Sequence, residues 1–415
     1  MDIFEYVKDA CTRAAGAKGA RAGASTALRT RVLLRAAELL LGENDAILAE
    51  NKKDLARAAE NGVPSVMLDR LCLTEERIAG IADALRAVAA LPDPTGAGDT
   101  FTRPNGLRIT RLRVPLGVVG MIYEARPNVT VDAAALCIKT GNAVVLRGGK
   151  EALFSNMILA TLLRRALTEC DLPADAVILL ERTEREGVAA MKAQRGLLDV
   201  LIPRGGHGLI RAVTDGSAVP VIETGAGNCH VYVDAAADID MALRVCENAK
   251  LSRPSVCNAA ETLLVHSAIA AEFLLRFRTL TGKRLELRGC NRTCALIPGI
   301  TRATDEDYAT EYDDAILAVR VVDSVEEAVA HINRYNTGHS EAILTNDINT
   351  AEYFRQSVDA AAVYVNASTR FTDGGEFGFG AEIGISTQKL HVRGPMGLSA
   401  LTTEKYFIDG NGQIR

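Results

Sequence analysis

Short apolar runs separated by helix-length segments restrict the fold of this chain more than any other feature. Between the runs lie segments with helical spacing, of which Phe154–Leu167 is the clearest. Short buried strands that alternate with helices are typical of βαβ units and mostly parallel sheets. The sequence therefore predicts an α/β fold with two consecutive α/β units and a cleft between them. The runs are Val118–Tyr123, Ala143–Leu146, Val177–Leu180, Val200–Ile202 and Val219–Ile222 in a first set, and His230–Val233, Thr262–His266, Ala342–Leu344 and Ala362–Val365 in a second.

Residues 1 to about 96 have a different, helical pattern. Ser25 and Thr26 are suited to cap a helix, and Pro92 and Pro94 end the helical stretch. The next segment, Leu107–Val114, alternates apolar residues with basic or polar ones, which predicts a half-exposed strand.

Composition and charge exclude several classes of function. The net charge of −5 argues against an overall polyanion-binding surface, and the absence of Trp argues against stacking platforms for single-stranded nucleic acid. No segment approaches the roughly 18 apolar residues of a membrane span. The first residues are acidic where a signal peptide would be basic. We therefore expect a cytoplasmic enzyme with a small-molecule substrate, and neither nucleic acid nor a membrane as its partner.

The nine cysteines are an odd number without disulfide-scaffold spacing, which suits a reducing compartment. Cys290 and Cys294 are the one close pair, and two incidental thiols are favoured there over a structural zinc site, so no metal is predicted. Cys257 follows Pro254, which forces the chain out of a helix before a predicted strand. A thiol on such a loop is a nucleophile when its pKa is lowered, although a small buried hydrophobe is the commoner role of a single cysteine.

Glu223 and Asn128 are two further candidate catalytic residues. Glu223 ends a predicted strand and is followed by glycines, which fits a general base beside a ligand and, equally, a solvated residue at a capped turn. Asn128 follows Pro127, where its amide is suited either to donate to a developing oxyanion or to cap a helix.

Two glycine motifs follow predicted strands, and glycine turns at such places bind phosphate through backbone N–H groups. Together they are suited to a dinucleotide. His207, within the second motif, is suited to contact phosphate, although a helix-capping or surface position is favoured for it. The motif residues are Arg147, Gly148, Gly149 and Lys150 in the first, and Arg204, Gly205 and Gly206 in the second.

Several strings make the chain resemble the aldehyde dehydrogenase superfamily and, within it, the γ-glutamyl phosphate reductase family, also called glutamate-5-semialdehyde dehydrogenases. The resemblance covers essentially the whole chain. It is carried by the order Asn128, Arg147, Glu223-x-Gly, Cys257, Glu311 and Phe377-Gly-Phe-Gly, and by PLGVVGMIYEARPNVTVDA after Val114, PSVCNAAETLLVH after Arg253, EYDDAILAVRVVDS after Thr310, INRYNTGHSEAI after His331 and FGAEIGIST after Gly378.

The resemblance implies an aldehyde-dehydrogenase-like fold, with two Rossmann-like α/β domains and a small β oligomerisation element. The implied dinucleotide-binding domain covers residues 1–228 except 98–114, and the catalytic domain covers 229–384. Residues 98–114 and 385–415, with strands at Leu107–Val114 and Lys405–Arg415, would form the oligomerisation element.

The resemblance also implies a reaction. The Cys257 thiolate would attack L-glutamyl 5-phosphate, expel phosphate and leave a thioester, which NADPH would reduce to L-glutamate 5-semialdehyde in proline biosynthesis. Asn128 and the Cys257 backbone N–H would stabilise the oxyanion, and Glu223 would position groups or handle protons. Cofactor binding is expected from both glycine motifs and Glu311. The candidates for substrate binding are Arg126, Arg253, Ser255 and Asn258.

The implied cofactor is NADP(H), because Lys150 stands where many superfamily members have a glutamate that favours NAD. A homo-oligomer, dimer or tetramer, and functional coupling to glutamate 5-kinase are also implied. Two alternatives are another aldehyde or acyl-phosphate dehydrogenase on the same scaffold and, disfavoured by the retained motifs, a catalytically silent ligand-binding relative.

Overall fold

The computed structural model describes residues 1–63 and 65–415, without the side chains of residues 18–22, 65–66 and 207. The expectation for the His207 side chain thus lies outside the described residues. The chain forms two compact units. The first contains Met1–Thr224, Gly378–Gly384 and Met396–Arg415, and the second contains Gly225–Phe377 and Ile385–Pro395. The compact units differ from the predicted domain bounds at residues 225–228, 378–384 and 385–395, and the predicted division into functional domains stays a prediction.

The first unit begins with helices, as predicted. Ser25 is the N-cap of the second helix and accepts a hydrogen bond from the N–H of Leu28, while Val32, Leu33 and Leu40 are buried on its inner face. These helices are α1 (Ile3–Ala22), α2 (Thr26–Gly42), α3 (Asn44–Glu60), α4 (Ser65–Leu71) and α5 (Glu75–Ala90).

A parallel four-stranded sheet with the order β5-β4-β3-β6 forms the centre of the first unit. The predicted strand at Val219–Ile222 is wrong, because this segment makes one bridge, between Val221 and Leu201, and Pro220 has no N–H to continue a ladder. The elements are β3 (Val118–Tyr123), α6 (Pro127–Lys139), β4 (Ala143–Arg147), α7 (Leu153–Glu169), β5 (Val177–Leu179), α8 (Glu186–Lys192), β6 (Val200–Arg204) and α9 (His207–Thr214).

A small antiparallel sheet has the order β1-β2-β16, with β1 at Gly98–Thr102, β2 at Arg108–Pro115 and β16 at Thr402–Asp409. The predicted strand near Leu107–Val114 is therefore present, but it is the central strand, because β16 pairs with it from Thr402 opposite Pro115 to Asp409 opposite Arg108. The C-terminal strand spans Thr402–Asp409, three residues earlier than predicted at its start.

The second unit is built on a parallel sheet of seven strands in the order β10-β9-β11-β8-β7-β12-β13. The second predicted set of strands is present as β7, β8, β12 and β13, and the α/β class is confirmed. The elements are β7 (Cys229–Val233), α10 (Ile239–Leu251), β8 (Ala260–His266), α11 (Ser267–Thr281), β9 (Glu286–Gly289), α12 (Asn291–Leu296), β10 (Thr301–Arg302), α13 (Asp305–Tyr308), β11 (Ile316–Val322), α14 (Val325–Tyr335), β12 (Ser340–Leu344), α15 (Ile348–Ser357), β13 (Ala362–Val365), β14 (Ile385–Ser386) and β15 (Gly394–Pro395).

Buried apolar side chains cover both faces of the second sheet. One cluster includes Val231, Leu263 and Phe273, and the other includes Tyr232, Leu264 and Phe354. Successive residues of a strand point to opposite faces, so strands buried on both sides consist of continuous apolar runs. Across the part of the chain that the structure describes, none of the helices is long and apolar enough to cross a membrane.

Candidate active site

The strand order of the first sheet has a topological switch point between β3 and β6, which are parallel neighbours. The chain passes from β3 to β4 and β5 on one side and then places β6 on the other side of β3. In open α/β sheets, ligands bind at the carboxyl ends of the strands beside such a switch point. Tyr123 ends β3 and Arg204 ends β6, so two of the motifs singled out in the sequence meet here.

Glu124 joins these two motifs. Its backbone N–H donates to the carbonyl of Arg204 at 3.2 Å, and its Oε2 accepts from the N–H of Gly206 at 3.0 Å. A Cβ on Gly205 would stand 2.4 Å from the same oxygen, so a side chain there would displace Glu124. Gly206 is the N-cap of α9, whose first turn therefore starts directly at this edge of the sheet.

Arg147 ends β4, the neighbouring strand. Its Nη2 donates to the carbonyls of Thr183 at 3.2 Å and Glu184 at 3.1 Å. Its Nε is buried and has no hydrogen-bond partner among the described residues. Burial lowers the pKa of Arg147, and the nearby carboxylates of Glu151, Glu124 and Glu184 oppose that shift. The side chain is thus fixed in place with one donor still unsatisfied.

The glycines after Arg147 are packed closely. A Cβ on Gly148 would stand 2.2 Å from Nδ2 of Asn156, and one on Gly149 would stand 2.8 Å from the carboxylate of Glu151. Packing within the protein is therefore enough to explain why glycine occupies both positions, whether or not a ligand binds there. Lys150 is exposed at the start of a short 3-10 turn.

Asn128 lies in the first turn of α6. Arg126 is the N-cap of this helix and Pro127 its first residue, so the alternative role of Asn128 as N-cap is wrong. Its Nδ2 donates to Oδ2 of Asp132 at 2.9 Å. Desolvation raises the pKa of Asp132 to about 6, against opposing effects of Asn128 and Arg204. Asp132 thereby fixes the amide of Asn128, and one of its two amide hydrogens is not used by this bond.

Glu223 is half-buried and lies one residue before the end of Met1–Thr224, the longest segment of the first unit. The next residue, Thr224, donates its hydroxyl to the carbonyl of Pro203 at 2.8 Å. This bond holds the backbone beside Glu223 against the end of β6.

In the second unit, Cys257 lies half-buried in the loop between α10 and β8. The backbone of Gly227 touches this loop so closely that an added Cβ would stand 1.4 Å from the Cys257 carbonyl oxygen. The same carbonyl accepts a hydrogen bond from Sγ of Cys229 at 3.2 Å. The position of the Cys257 backbone therefore depends on a residue without a side chain at 227.

Glu311 holds Gly227 in turn. Its Oε1 accepts from the N–H of Gly227 at 2.8 Å. Desolvation raises the pKa of Glu311, although the hydrogen bond from Gly227 acts in the opposite direction. Glu311 thus supports the cysteine loop through Gly227, and its predicted contact with a cofactor stays a prediction.

Asn258 fastens the other end of the cysteine loop. It is 4% exposed, and its Nδ2 donates to the carbonyls of Arg370 at 3.2 Å and Thr372 at 2.9 Å. Its own carbonyl accepts from the hydroxyl of Thr369 at 2.7 Å. Direct contact between the Asn258 amide and a substrate, as predicted, would require one of these bonds to break.

The structure brings the other predicted substrate residues of this unit onto the same loop. Arg253 is exposed and Ser255 is half-buried, both within five residues of Cys257. Arg126 lies in the first unit, beside Asn128. The described residues contain no group of three or more His, Cys, Asp or Glu that would hold a metal ion.

Sequence reasoning missed Glu124, Asp132 and Arg370 as parts of this chemistry. Asp132 was detectable, because it follows Asn128 by four positions on a predicted helix and such residues are neighbours. The contact between Arg370 and Asn258 spans 112 residues and gives no local signal.

The chain matches the model of the Aldehyde dehydrogenase family over residues 4–288 and 308–382, and it belongs to that family. Among its relatives, the Gamma-glutamyl phosphate reductase of Moorella thermoacetica is 58% identical over 417 aligned positions that cover 100% of both chains. The Gamma-glutamyl phosphate reductase of Clostridium perfringens is 59% identical, over 94% of this chain and 95% of the relative. The crystal structure of Gamma-glutamyl phosphate reductase from Thermotoga maritima superposes with a TM-score of 0.96 at 47% identity and 99% coverage of both chains. The resemblance drawn from the sequence is therefore confirmed.

Proposed function

We propose that this protein reduces L-glutamyl 5-phosphate to L-glutamate 5-semialdehyde and phosphate with NADPH, a step of proline biosynthesis. The observation that carries the proposal is the 58% identity over the full length of a protein named Gamma-glutamyl phosphate reductase. The fixed loop of Cys257 supports the same conclusion, because acyl transfer to a thiol requires a nucleophile in a defined position.

Cys257 is the proposed nucleophile. Its thiolate forms a C–S bond with the γ-acyl carbon, and the C–O bond to phosphate breaks with the electron pair on the leaving oxygen. The product is a thioester on Cys257. When bound, the reduced nicotinamide supplies a hydride for the thioester carbon. The C–S bond then breaks, the thiolate leaves and the semialdehyde is released.

The proposed role of Asn128 is to donate an amide hydrogen to the oxyanion that forms when the acyl carbon becomes tetrahedral. The hydrogen bond to Asp132 supports this role, since it fixes the orientation of the amide before substrate arrives. The proposed role of Glu223 is positioning or proton transfer. A general base that activates water would hydrolyse the thioester and waste the acyl phosphate.

The first unit has features that fit a nicotinamide dinucleotide. The buried Nε of Arg147 has no hydrogen-bond partner among the described residues, and helix α9 begins at the switch point between β3 and β6, where the N–H of its N-cap residue Gly206 donates to Glu124. We propose that Arg147, Lys150 and the turn Arg204–Gly206 hold the cofactor there. Gly148 and Gly149 are proposed to contribute through their backbones, and Glu311 is a proposed further contact.

The proposed preference for NADP(H) over NAD(H) rests on Lys150. Its ammonium group is exposed just after β4, where a carboxylate would repel a 2′-phosphate. The adjacent carboxylate of Glu151 lies beside Gly149 and raises the pKa of Arg147. Its negative charge therefore partly stabilises the Arg147 cation and does not neutralise Lys150 alone.

The reaction is tested in the oxidative direction with L-glutamate 5-semialdehyde, NADP⁺ and inorganic phosphate. We expect formation of NADPH that depends on phosphate and is far slower with simple aldehydes. Equal rates with simple aldehydes and no requirement for phosphate would contradict the proposed function. Arg126, Arg253 and Ser255 are the proposed contacts for the anionic groups of the substrate.

We further propose that the protein is a cytoplasmic homo-oligomer, a dimer or tetramer, that receives its substrate from glutamate 5-kinase. The β1-β2-β16 sheet is the proposed oligomerisation element, because Tyr406, Phe407 and Ile408 on its edge strand are exposed. Truncation before Lys405 removes most of β16 and exposes β2. Sedimentation should then show smaller species or aggregates, whereas an unchanged oligomer would exclude this sheet as the interface.

A further inference from the structure

Arg370 is fixed to the loop of the proposed nucleophile. It lies in a 3-10 turn, Thr369–Phe371, and its Nε donates to the hydroxyl of Ser252 at 3.1 Å. Its Nη1 donates to Oδ1 of Asn258, the residue after Cys257. The backbone carbonyl of Arg370 accepts from the same Asn258 side chain. A guanidinium therefore has a defined place at this loop, and these two bonds use two of its five N–H donors.

The charges around Arg370 are of both signs, and Arg253 is the cation among them. Burial lowers the pKa of Arg370 first, the positive charge of Arg253 lowers it further, and the groups that oppose the shift include Cys257 and Asp373. Two guanidinium groups thus share the loop of one thiol. Like charges that are held together in a partly desolvated place are stabilised when an anion binds between them.

The C-terminus of helix α10 borders the cysteine loop. Helix α10 ends at Leu251, directly before the loop, and the carbonyl end of a helix carries partial negative charge. That partial charge disfavours an anion, so a cationic side chain is the group suited to hold one at this loop. Arg has the rigid, planar fork that matches two oxygens of a phosphate group.

We propose that Arg370 binds the phosphoryl group of the acyl phosphate beside Sγ of Cys257. This inference rests on the proposed function. The phosphoryl group is bonded through oxygen to the carbon that Sγ attacks, whereas the α-carboxylate lies at the other end of the substrate. A cation fixed at the residue after Cys257 therefore meets the phosphoryl group. As the C–O bond breaks, the electron pair moves onto the phosphate oxygen, and Arg370 stabilises the charge that develops there.

The test uses the full-length protein in the oxidative direction, which has two separable steps. Without phosphate, L-glutamate 5-semialdehyde and NADP⁺ give one burst of NADPH as the thioester forms. With phosphate, its oxygen attacks the thioester carbon, the C–S bond breaks and turnover continues. Only the second step uses the phosphoryl site.

For Arg370→Gln we expect the KM for phosphate to rise about 10–100-fold, the loss typical of one charge-assisted contact. The burst and the KM for NADP⁺ should stay unchanged. Arg370→Lys keeps the charge without the fork and should recover part of the affinity for phosphate. Arg355→Gln, an exposed arginine paired with Glu352 on α15, is the matched control and should behave as wild type.

An unchanged KM for phosphate in Arg370→Gln would overturn the inference. A burst that falls together with turnover would also overturn it, since Arg370 would then act by holding the cysteine loop. If Arg370→Gln does not fold, Arg370→Lys decides through the same two measurements. A wild-type protein without phosphate-dependent turnover would instead overturn the proposed function.

Discussion

The two parallel sheets carry their candidate functional residues at opposite edges. In the first unit, Glu124, Arg147 and Gly205 follow the carboxyl ends of strands. In the second unit, Gly227 and Cys257 precede the amino ends of β7 and β8. Helices begin at the carboxyl edge of such a sheet and end at its amino edge, so helix N-termini lie at the first edge and helix C-termini at the second.

This difference determines which groups are suited to bind an anionic ligand at each edge. The carboxyl edge has the N-terminus of α9 and glycines that pack closely against neighbouring side chains. The amino edge has helix carbonyls, so a thiol nucleophile and an anionic substrate require cationic side chains there. Arg253 and Arg370 are the cations at the cysteine loop. We therefore expect covalent chemistry to be lost by changes in the second unit and cofactor selectivity to be altered by changes in the first.

The largest effect is expected for Cys257→Ser. A hydroxyl is a far poorer nucleophile than a thiolate at neutral pH, so turnover should fall by more than the roughly 10²–10³-fold that loss of one oxyanion donor costs. Cofactor binding, measured by fluorescence titration of NADPH, should stay nearly intact because the proposed cofactor residues other than Glu311 lie in the first unit. Cys294→Ser in the same unit is the control, and appreciable turnover by the Cys257 variant would refute the assignment.

Asn128→Ala should have the next largest effect, since it removes the proposed oxyanion donor from the first unit. We expect kcat to fall about 10²–10³-fold with little change in the KM for NADP⁺. Asn61→Ala, at the exposed end of α3, serves as the control. A change confined to the KM for NADP⁺ would place Asn128 with the cofactor residues instead.

Lys150→Glu should change selectivity and leave the chemistry intact. A charge-assisted contact contributes about 1.5–3 kcal/mol, so the preference for NADP⁺ over NAD⁺ should shift by roughly 10–150-fold, chiefly through the KM for NADP⁺. Steady-state kinetics with both cofactors measure this shift, and Lys53→Glu is an exposed control in the same unit. Equal discrimination by wild type and variant would mean that Lys150 does not bind the 2′-phosphate.

The smallest expected effect is a pH dependence that arises from Asp132. With a pKa of about 6, Asp132 is charged above that pH and holds Asn128 through a charged hydrogen bond. Turnover should therefore fall as the pH drops through about 6, and Asp132→Asn should remove this inflection. Asp83→Asn, on the exposed face of α5, should keep it.

Ionisation of Asp132 should favour turnover but lower the stability of the folded protein. The folded pKa is raised above the ordinary value of 3.8, so the folded chain binds the proton more tightly than the unfolded one. The charged group lowers stability increasingly as the pH rises from about 4 to about 6. Asp132→Asn should thus raise Tm relative to wild type at pH 8 and not at pH 4. A variant with lower Tm at pH 8 would show that Asn128 and Arg204 outweigh the desolvation.

The local part of this structure was predictable from sequence. Runs such as Val118–Tyr123 and Ala143–Leu146 are strands because continuous apolar residues suit strands buried on both faces. The run Val219–Ile222 has the same composition and fails, because Pro220 removes a donor and the segment pairs with only one residue of β6. Apolar content alone does not distinguish these two cases.

The candidate site was predictable where function depends on residue type and not where it depends on long-range packing. Cys257 and the glycine motifs are visible in the sequence. The glycines after Glu223 were interpreted as fitting a site beside a ligand, whereas Gly227, one of them, allows close approach of the Cys257 backbone. Asn258 appeared to be a substrate residue, but its amide is bonded to carbonyls 112 and 114 residues further along the chain. Such contacts have no signature in the local sequence.

The pairing of β2 with β16 has a consequence for synthesis of the chain. Arg113 on β2 and Thr402 at the start of β16 are 289 residues apart. At 5–20 residues per second, a ribosome needs about 15–60 s to make the intervening chain. During that interval one edge of β2 has no partner in the growing protein, and unpaired edges invite association between chains. Strand β2 carries Arg108, Arg111 and Arg113, charges of the kind that deter such pairing, and we expect them to protect the nascent protein until its last strand emerges.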